Sequence, residues 1–361
     1  MNQTWSVRAY KEDGEDEIFE LTKAVWEEQV PERERWIKGW HWMHIDNPAG
    51  ISRIWLAEHD GKLVGQYPVI MENMKVDGEV VKTAQLVDTM THPKYRRRGI
   101  AFTLGKKALS KVENGGIHLI YCFPTQQVYP LHIKSGWLDV CAFQVMFKPL
   151  NLKNILQKYF IRNRLLLNIL TASGNLIIKA LFRSKKVPDE DTLKVRKISH
   201  FDDRINEFWN TMSIDYNIIR IRDKKYLNWR YVDAPNADYI IYVAEEGGRI
   251  CGYIILGCKD ASGLLFGYIY DVIAPTSRED IIQCLIAKAT EYFMDAKVDA
   301  ISSQMVPNKI YHKALLKNGF IPRFRSKGRF IAYNASTKLS DAFLKNPKNW
   351  FIQLGDLPLV Y

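Results

Sequence analysis

Cysteine is scarce and scattered. The 361-residue chain has five, Cys122, Cys141, Cys251, Cys258 and Cys284, with no Cys-x-x-Cys among them. An odd, dispersed set excludes a disulfide framework, and no Cys/His cluster has zinc spacing, so no metal is expected. Long apolar runs are missing too. The best stretch, Leu165 to Phe182, is broken by Asn168, Ser173, Gly174, Asn175 and Lys179. A membrane span needs about 20 mostly apolar residues. The N-terminus turns acidic by Glu12, with no basic segment leading into an apolar one. No secretory leader is expected, and a reducing cytoplasm is the expected location. Two phosphate signatures are absent as well. No Gly-Lys-Ser/Thr closes a Walker loop, and no three-glycine dinucleotide fingerprint occurs.

Acidic residues are missing from one segment in particular. Between Lys153 and Lys186 stand eight basic residues and no acidic ones, so this segment holds +8 of the net +11. No nucleic-acid motif accompanies it, and no nucleic-acid partner is expected. Two readings stand. One is a helical connector packed between domains. The other is a basic amphipathic element lying on an anionic membrane surface.

The length suits two domains, and the apolar fraction of 47% is ordinary for a globular chain. The most informative stretch runs from Val87 to Leu104. It reads as a strand, a basic glycine turn and a helix. Pro93 stops the strand, since proline cannot donate to a ladder. Gly99 allows a tight turn and a close ligand approach, and the small Ala101 keeps that approach open. The helix that follows offers free N–H groups and a partial positive charge, which suits a pyrophosphate. Arg96, Arg97 and Arg98 add charge. An ordinary strand-to-helix turn with a solvated basic face would use the same residue types.

The full run, Arg96-x-x-Gly99-x-Ala101 after His92-Pro93-Lys94-Tyr95, resembles the acetyl-CoA loop of GNAT-type N-acetyltransferases. Around it the order strand, helix, antiparallel strands, strand, loop, helix, strand, helix, strand is that of a GNAT domain over about 1–150. The resemblance implies that Met90, Thr91 and His92 hold pantetheine and thioester through their backbone. It implies that Arg96, Arg97, Arg98, Gly99, Ile100 and Ala101, with Phe102 and Thr103, take the pyrophosphate of acetyl-CoA. Many members place an acidic tyrosine four residues before the glycine of a short helix. Here His132 stands there, before Gly136-Trp137, with Tyr129 nearly a turn earlier. Both are candidate acids, His132 because its pKa ordinarily lies near working pH. Asp88, near the centre of the cofactor strand, is a candidate base or a structural carboxylate. In some tandem relatives and in N-myristoyltransferase the C-terminal carboxylate is the base, which brings Tyr361 into view.

The second half repeats the first. Trp42-x-His44-x-Asp46-x-Pro48 matches Trp229-x-Tyr231-x-Asp233-x-Pro235 at offset 187. That register holds through Gly65 and Gly252. It then becomes 183, with Asp88 on Asp271 and Gly136-Trp137 on Gly319-Phe320. Opposite Pro93 to Ala101, this offset places Thr276 to Cys284, with no glycine in the turn and two acids that would repel an anion. The expected fold class is therefore α+β. It comprises two tandem GNAT-like domains, 1–150 and a degenerate 191–361, each a mixed, mostly antiparallel sheet flanked by helices. A basic connector, 151–190, joins them. Cys141 to Pro149 reads as the last strand of the first domain, and a strand is expected between Arg325 and Tyr333. The expected activity is transfer from acetyl-CoA to an amine of a small molecule, sugar or peptide. Two alternatives stand beside it, a Fem-type aminoacyl transferase and a non-catalytic acyl-CoA-binding protein.

Overall fold

A computed structural model describes residues 5–113, 115–159, 193–323 and 328–358. Most of the basic segment 153–186 and Tyr361 lie outside the described residues.

The first half opens with β1 (Ser6–Ala9), α1 (Glu15–Trp26) and α2 (Arg33–His44). α1 carries Glu15, Asp16 and Glu17 in its first turn and Lys23 in its last, matching the helix dipole. In α2, Trp36, Trp40 and His44 recur every four residues and share one buried face. Next come β2 (Arg53–His59) and β3 (Lys62–Val76), joined by a turn in which Asp60 and Gly61 both have positive φ, 48° and 70°. This is the hairpin geometry that an Asp-Gly pair favours. β4 (Glu79–Leu86) and β5 (Met90–Thr91) follow, then α3 (Ile100–Glu113), which buries Ile100, Leu104, Ala108 and Val112 along one stripe. β6 (Leu119–Cys122), α4 (Tyr129–Lys134), β7 (Leu138–Ala142), β8 (Gln144–Pro149) and α5 (Leu152–Tyr159) complete this half.

The second half runs β9 (Leu193–Ile198), α6 (Arg204–Met212), β10 (Ile218–Arg220), α7 (Lys224–Tyr231), β11 (Ile240–Glu246), β12 (Arg249–Ala261) and β13 (Leu264–Ile273). It continues with α8 (Glu279–Asp295), β14 (Ala300–Met305), α9 (Lys309–Lys317), β15 (Ile321–Pro322), β16 (Arg329–Asn334), α10 (Asp341–Lys345) and β17 (Trp350–Phe351).

Two mixed sheets result. One orders β1-β2-β3-β4-β6-β16-β7, the other β9-β11-β12-β13-β14-β8-β15. Position by position they are the same sheet, parallel only at β4–β6 and β13–β14 within these orders. Helices flank both, and the fold is two GNAT-like units. The stretch expected as a single strand, Cys141 to Pro149, divides at Phe143. β7 stays in the first sheet while β8 crosses to the second and pairs with β14 and β15. The strand expected between Arg325 and Tyr333 makes the reverse journey. As β16 it enters the first sheet between β6 and β7. Each half thus completes the other, which local periodicity cannot announce because either sheet offers an equivalent slot.

The pseudo-symmetry shows at the contact between α2 and α7. Trp42 and Trp229 stack with ring centroids 4.7 Å apart. Each indole N–H donates to the other's carbonyl, at 2.9 and 3.1 Å. A buried charge network welds the halves further. Arg222 Nε donates to Asp271 Oδ2 at 2.9 Å, and its Nη2 to Asp356 Oδ2 at 2.8 Å. Arg220 pairs with Glu72 of β3. Arg230 Nη2 donates to the carbonyls of Gly355 and Leu357 at 2.7 and 2.6 Å. These bonds pin the C-terminal strap 350–358 between the halves.

Candidate functional site

In the second sheet β13 pairs with β12 without a break from Ile273 to Leu264, absorbing one bulge at Tyr270. The equivalent strand of the first sheet parts into β4 and β5, with Val87, Asp88 and Thr89 between them. Pro68 explains the difference. It occupies the position of Ile255, which pairs with Asp271. Pro68 O accepts from Val87 N–H at 3.3 Å, so its nitrogen faces the same strand with no proton to give. The chain opens there, and Asp88 takes a φ of +39°. Gln66 Nε2 donates to the Asp88 carbonyl at 2.9 Å and holds the opened segment in place.

Below the opening lies the basic turn. Gly99 has φ +79° and Arg97 φ +64°, and a Cβ built on Gly99 would meet nothing within 4 Å. Glycine here serves the backbone conformation and leaves the front of the turn open. Thr103 N–H donates to Gly99 O at 3.0 Å as α3 begins. The N–H groups of Ile100, Ala101 and Phe102 therefore have no partner within the helix, which suits an anion. Arg96, Arg97 and Arg98 are exposed. Behind the turn β3 and α3 meet at Gly65, where a Cβ would come within 2.7 Å of Ile100 Cγ2 and 3.5 Å of Leu104 Cδ1.

A cavity of about 1500 Å³ joins these parts. Asp88, Met90, Thr91, Arg96, Arg97, Gly99, Ile100, Ala101, Phe102 and His132 all line it. His92, Arg98, Thr103 and Tyr129 are not on its wall. His92 instead caps the Pro93–Tyr95 turn, its ring accepting from Lys94 N–H at 3.3 Å. Tyr129 lies beside Asp139 and beneath the Arg329 guanidinium, 5.7 Å from its ring centroid. Burial, then the Asp139 carboxylate, raise the Tyr129 pKa.

His132 reaches the cavity in an altered state. It is 5% exposed and packs on Trp137 at 5.0 Å. Burial pushes its pKa down to about 4. The expectation of a titration near working pH is thus corrected, because an imidazolium would lose its hydration among apolar neighbours. At neutral pH the ring is neutral.

The far wall was not legible as a site. It comes from α1, the turn after it and α2, and includes Trp26, Val30, Trp36 and Trp40. His44 belongs to it, held neutral by burial that lowers its pKa to about 3. The four-residue spacing of Trp36, Trp40 and His44 was the available signal. Gln66 and Thr89 also line the cavity, and Gln66 Oε1 and Thr89 Oγ1 are buried with no hydrogen-bond partner among the described residues. Lys259 and Pro358 bring the second half to the rim. Asp88 is the one carboxylate among the described lining residues.

Among the described residues of the second half the equivalent place is closed. A Cβ on Gly252 would crowd Ile281 and Leu285 as one on Gly65 crowds Ile100 and Leu104. The offset across this helix is therefore 181, so the loop is two residues shorter than an offset of 183 would give. Gly99 falls on Asp280 and Arg97 on Arg278. Arg278 is spent on Glu246 at 2.9 Å and on Asp280 at 2.7 Å. Glu279 is held by Lys313 and Lys317, whose hydrogen bonds lower its pKa to about 2. Among the described residues no cluster of metal-ligating side chains occurs, and no helix is long and apolar enough to cross a membrane.

The sequence model of the acetyltransferase (GNAT) domain family matches residues 6–137. No curated protein matches the chain. Several solved structures share its fold. One is a protein of unknown function from Enterococcus faecalis V583, described as a probable N-acyltransferase. It has a TM-score of 0.65 and 14% identity, covering 92% of this chain and 73% of that one. A GCN5-related N-acetyltransferase from Anabaena variabilis ATCC 29413 has a TM-score of 0.64 and 12% identity, with the same coverage. Saccharomyces cerevisiae N-myristoyltransferase with bound myristoyl-CoA has a TM-score of 0.59 and 15% identity, covering 92% of this chain and 80% of that one. Residues 6–137 thus match the GNAT domain model, and the chain carries the GNAT fold.

Proposed function

We propose that this protein is an acyl-CoA-dependent N-acyltransferase that moves an acetyl group from acetyl-CoA to a primary amine. The observation that carries this reading is the single cavity uniting the glycine turn, the parted strand and Asp88. In it, Arg96, Arg97 and the open N–H groups of α3 take the pyrophosphate, with Gly99 and Ala101 allowing close approach. The backbone of Met90 and Thr91 aligns the pantetheine, so the thioester reaches the parted segment. Holding thioester and amine together there supplies the proximity the reaction needs.

The amine nitrogen attacks the thioester carbon. The C–N bond forms, the C–S bond breaks, and the electron pair leaves on sulfur as CoA thiolate. Asp88, the carboxylate of the described lining, takes the amine proton, directly or through water. His132, neutral at pH 7, does not act as an imidazolium acid. It can offer one ring N–H to the departing sulfur. A thiolate is a tolerable leaving group without full protonation, since free thiols ionise near pH 8.5. The second half contributes rim residues and strand β16 and takes no cofactor of its own.

Turnover tests this directly. CoA release from acetyl-CoA should depend on added amine, yield the N-acetyl product by mass spectrometry, and vanish in Arg97→Glu. Release that ignores the amine would indicate a hydrolase and sink the transferase reading.

A further inference from the structure

The two arms of the cavity differ in chemistry. The arm at the basic turn is cationic and open. The other is walled by Trp26, Trp36, Trp40 and Val30, with His44 kept neutral. Asp88 is the sole carboxylate among its described lining residues, and the rim adds a cation, Lys259. A polycation would meet a single carboxylate among the described lining residues and would lose hydration. One polar atom on the wall points to the ligand. Gln66 is 3% exposed, its Nε2 is committed to the Asp88 carbonyl, and its Oε1 has no hydrogen-bond partner among the described residues. The committed nitrogen fixes which end of the amide is oxygen. A buried acceptor in that position calls for a donor, because leaving it unpaired is costly. An acyl chain has no donor, and the pantetheine amide N–H groups are assigned to the backbone of Met90 and Thr91. An amine has a donor.

We infer that the acceptor is a primary amine carried on an uncharged aromatic or aliphatic body, with the body between Trp26, Trp36 and Trp40 and an amine N–H donated to Gln66 Oε1. This rests on the acyl-CoA reading of the basic turn. Gln66 then acts as a positioning residue. It holds the nitrogen lone pair toward the thioester carbon while its other end steadies the segment bearing Asp88. The bonds made and broken are those of the transfer already described, and the displaced amine proton goes to Asp88.

The test uses the full chain with acetyl-CoA at saturation and two amines, 2-phenylethylamine and spermidine. The expected kcat/KM for 2-phenylethylamine exceeds that for spermidine by about 100-fold. Gln66→Leu is expected to raise KM for 2-phenylethylamine about tenfold, the worth of one hydrogen bond, and to lower kcat as the Asp88 carbonyl loses its donor, while KM for acetyl-CoA, held chiefly at the basic turn, changes far less. A merely structural role would move both. Trp26→Ala changes a half-exposed residue, so folding is retained, and it is expected to raise the amine KM by a similar factor of about ten. Preference for spermidine overturns the inference, as does acetyl-CoA binding without acetylation of either amine. Preference for octanoyl-CoA over acetyl-CoA, with Trp26→Ala acting on the acyl-CoA KM, would assign the arm to an acyl chain and also overturn it. Failure of acetyl-CoA to bind, read by calorimetry, would remove the underlying reading and this inference together.

Discussion

The two halves share a sheet order, a stacked tryptophan pair and a glycine that lets β3 or β12 touch the helix behind it. They diverge at three places. Pro68 parts a strand that Ile255 keeps whole. Gly99 opens a turn that Asp280 closes. His132 stands over a cavity where Leu315 is buried in a core. Local changes open a cavity in the first half, while the same positions of the second half are filled. The matched aspartates show this most clearly. Asp271 is fully buried among Arg222, Tyr231 and Tyr253. Asp88 borders open space.

That contrast can be broken by substitution. Arg222→Met should cost the most, about 3–5 kcal/mol, because it leaves Asp271 buried without its ion-pair partner and Asp356 with Arg220 alone, at 3.8 Å. The midpoint of urea unfolding should fall accordingly, and a shift under 1 kcal/mol would remove the network from its structural role. Asp88→Asn should do the opposite. Turnover should fall about 100-fold with the loss of a base, while stability moves by no more than about 0.5 kcal/mol. A large loss of stability with normal turnover would make Asp88 a second Asp271.

The smallest effect concerns pH. His132 titrates at about 4 in the folded chain, against about 6.5 when unfolded. Between these values the unfolded chain binds the proton and the native one does not, so stability falls as pH drops from 6.5 toward 4. His132→Leu installs the second half's residue and should flatten that decline. Thermal melts at pH 4.5 and 7 would show it. A decline of unchanged steepness would show that His132 is not buried as described.

Much of this was legible in the sequence. The glycine turn, the hairpin at Asp60-Gly61 and the repeat all write themselves in local residue types. The exchange of β8 and β16 did not, since a strand's pattern fits either sheet and only three-dimensional closure chooses. His132 was found by motif position, but its charge state depends on Trp137 and the packing around it. Gln66 gave no signal by itself. The cue was Pro68 two residues on, a proline inside a strand pattern, which marks where a ladder must open.

The central claim is that one half binds acyl-CoA and the other cannot. Calorimetric titration of acetyl-CoA into wild type and Gly99→Glu tests it most directly. One molecule should bind per chain, with affinity lowered more than about 100-fold, close to 2.7 kcal/mol, in the variant. Two molecules per chain, or one that binds Gly99→Glu undiminished, would contradict it.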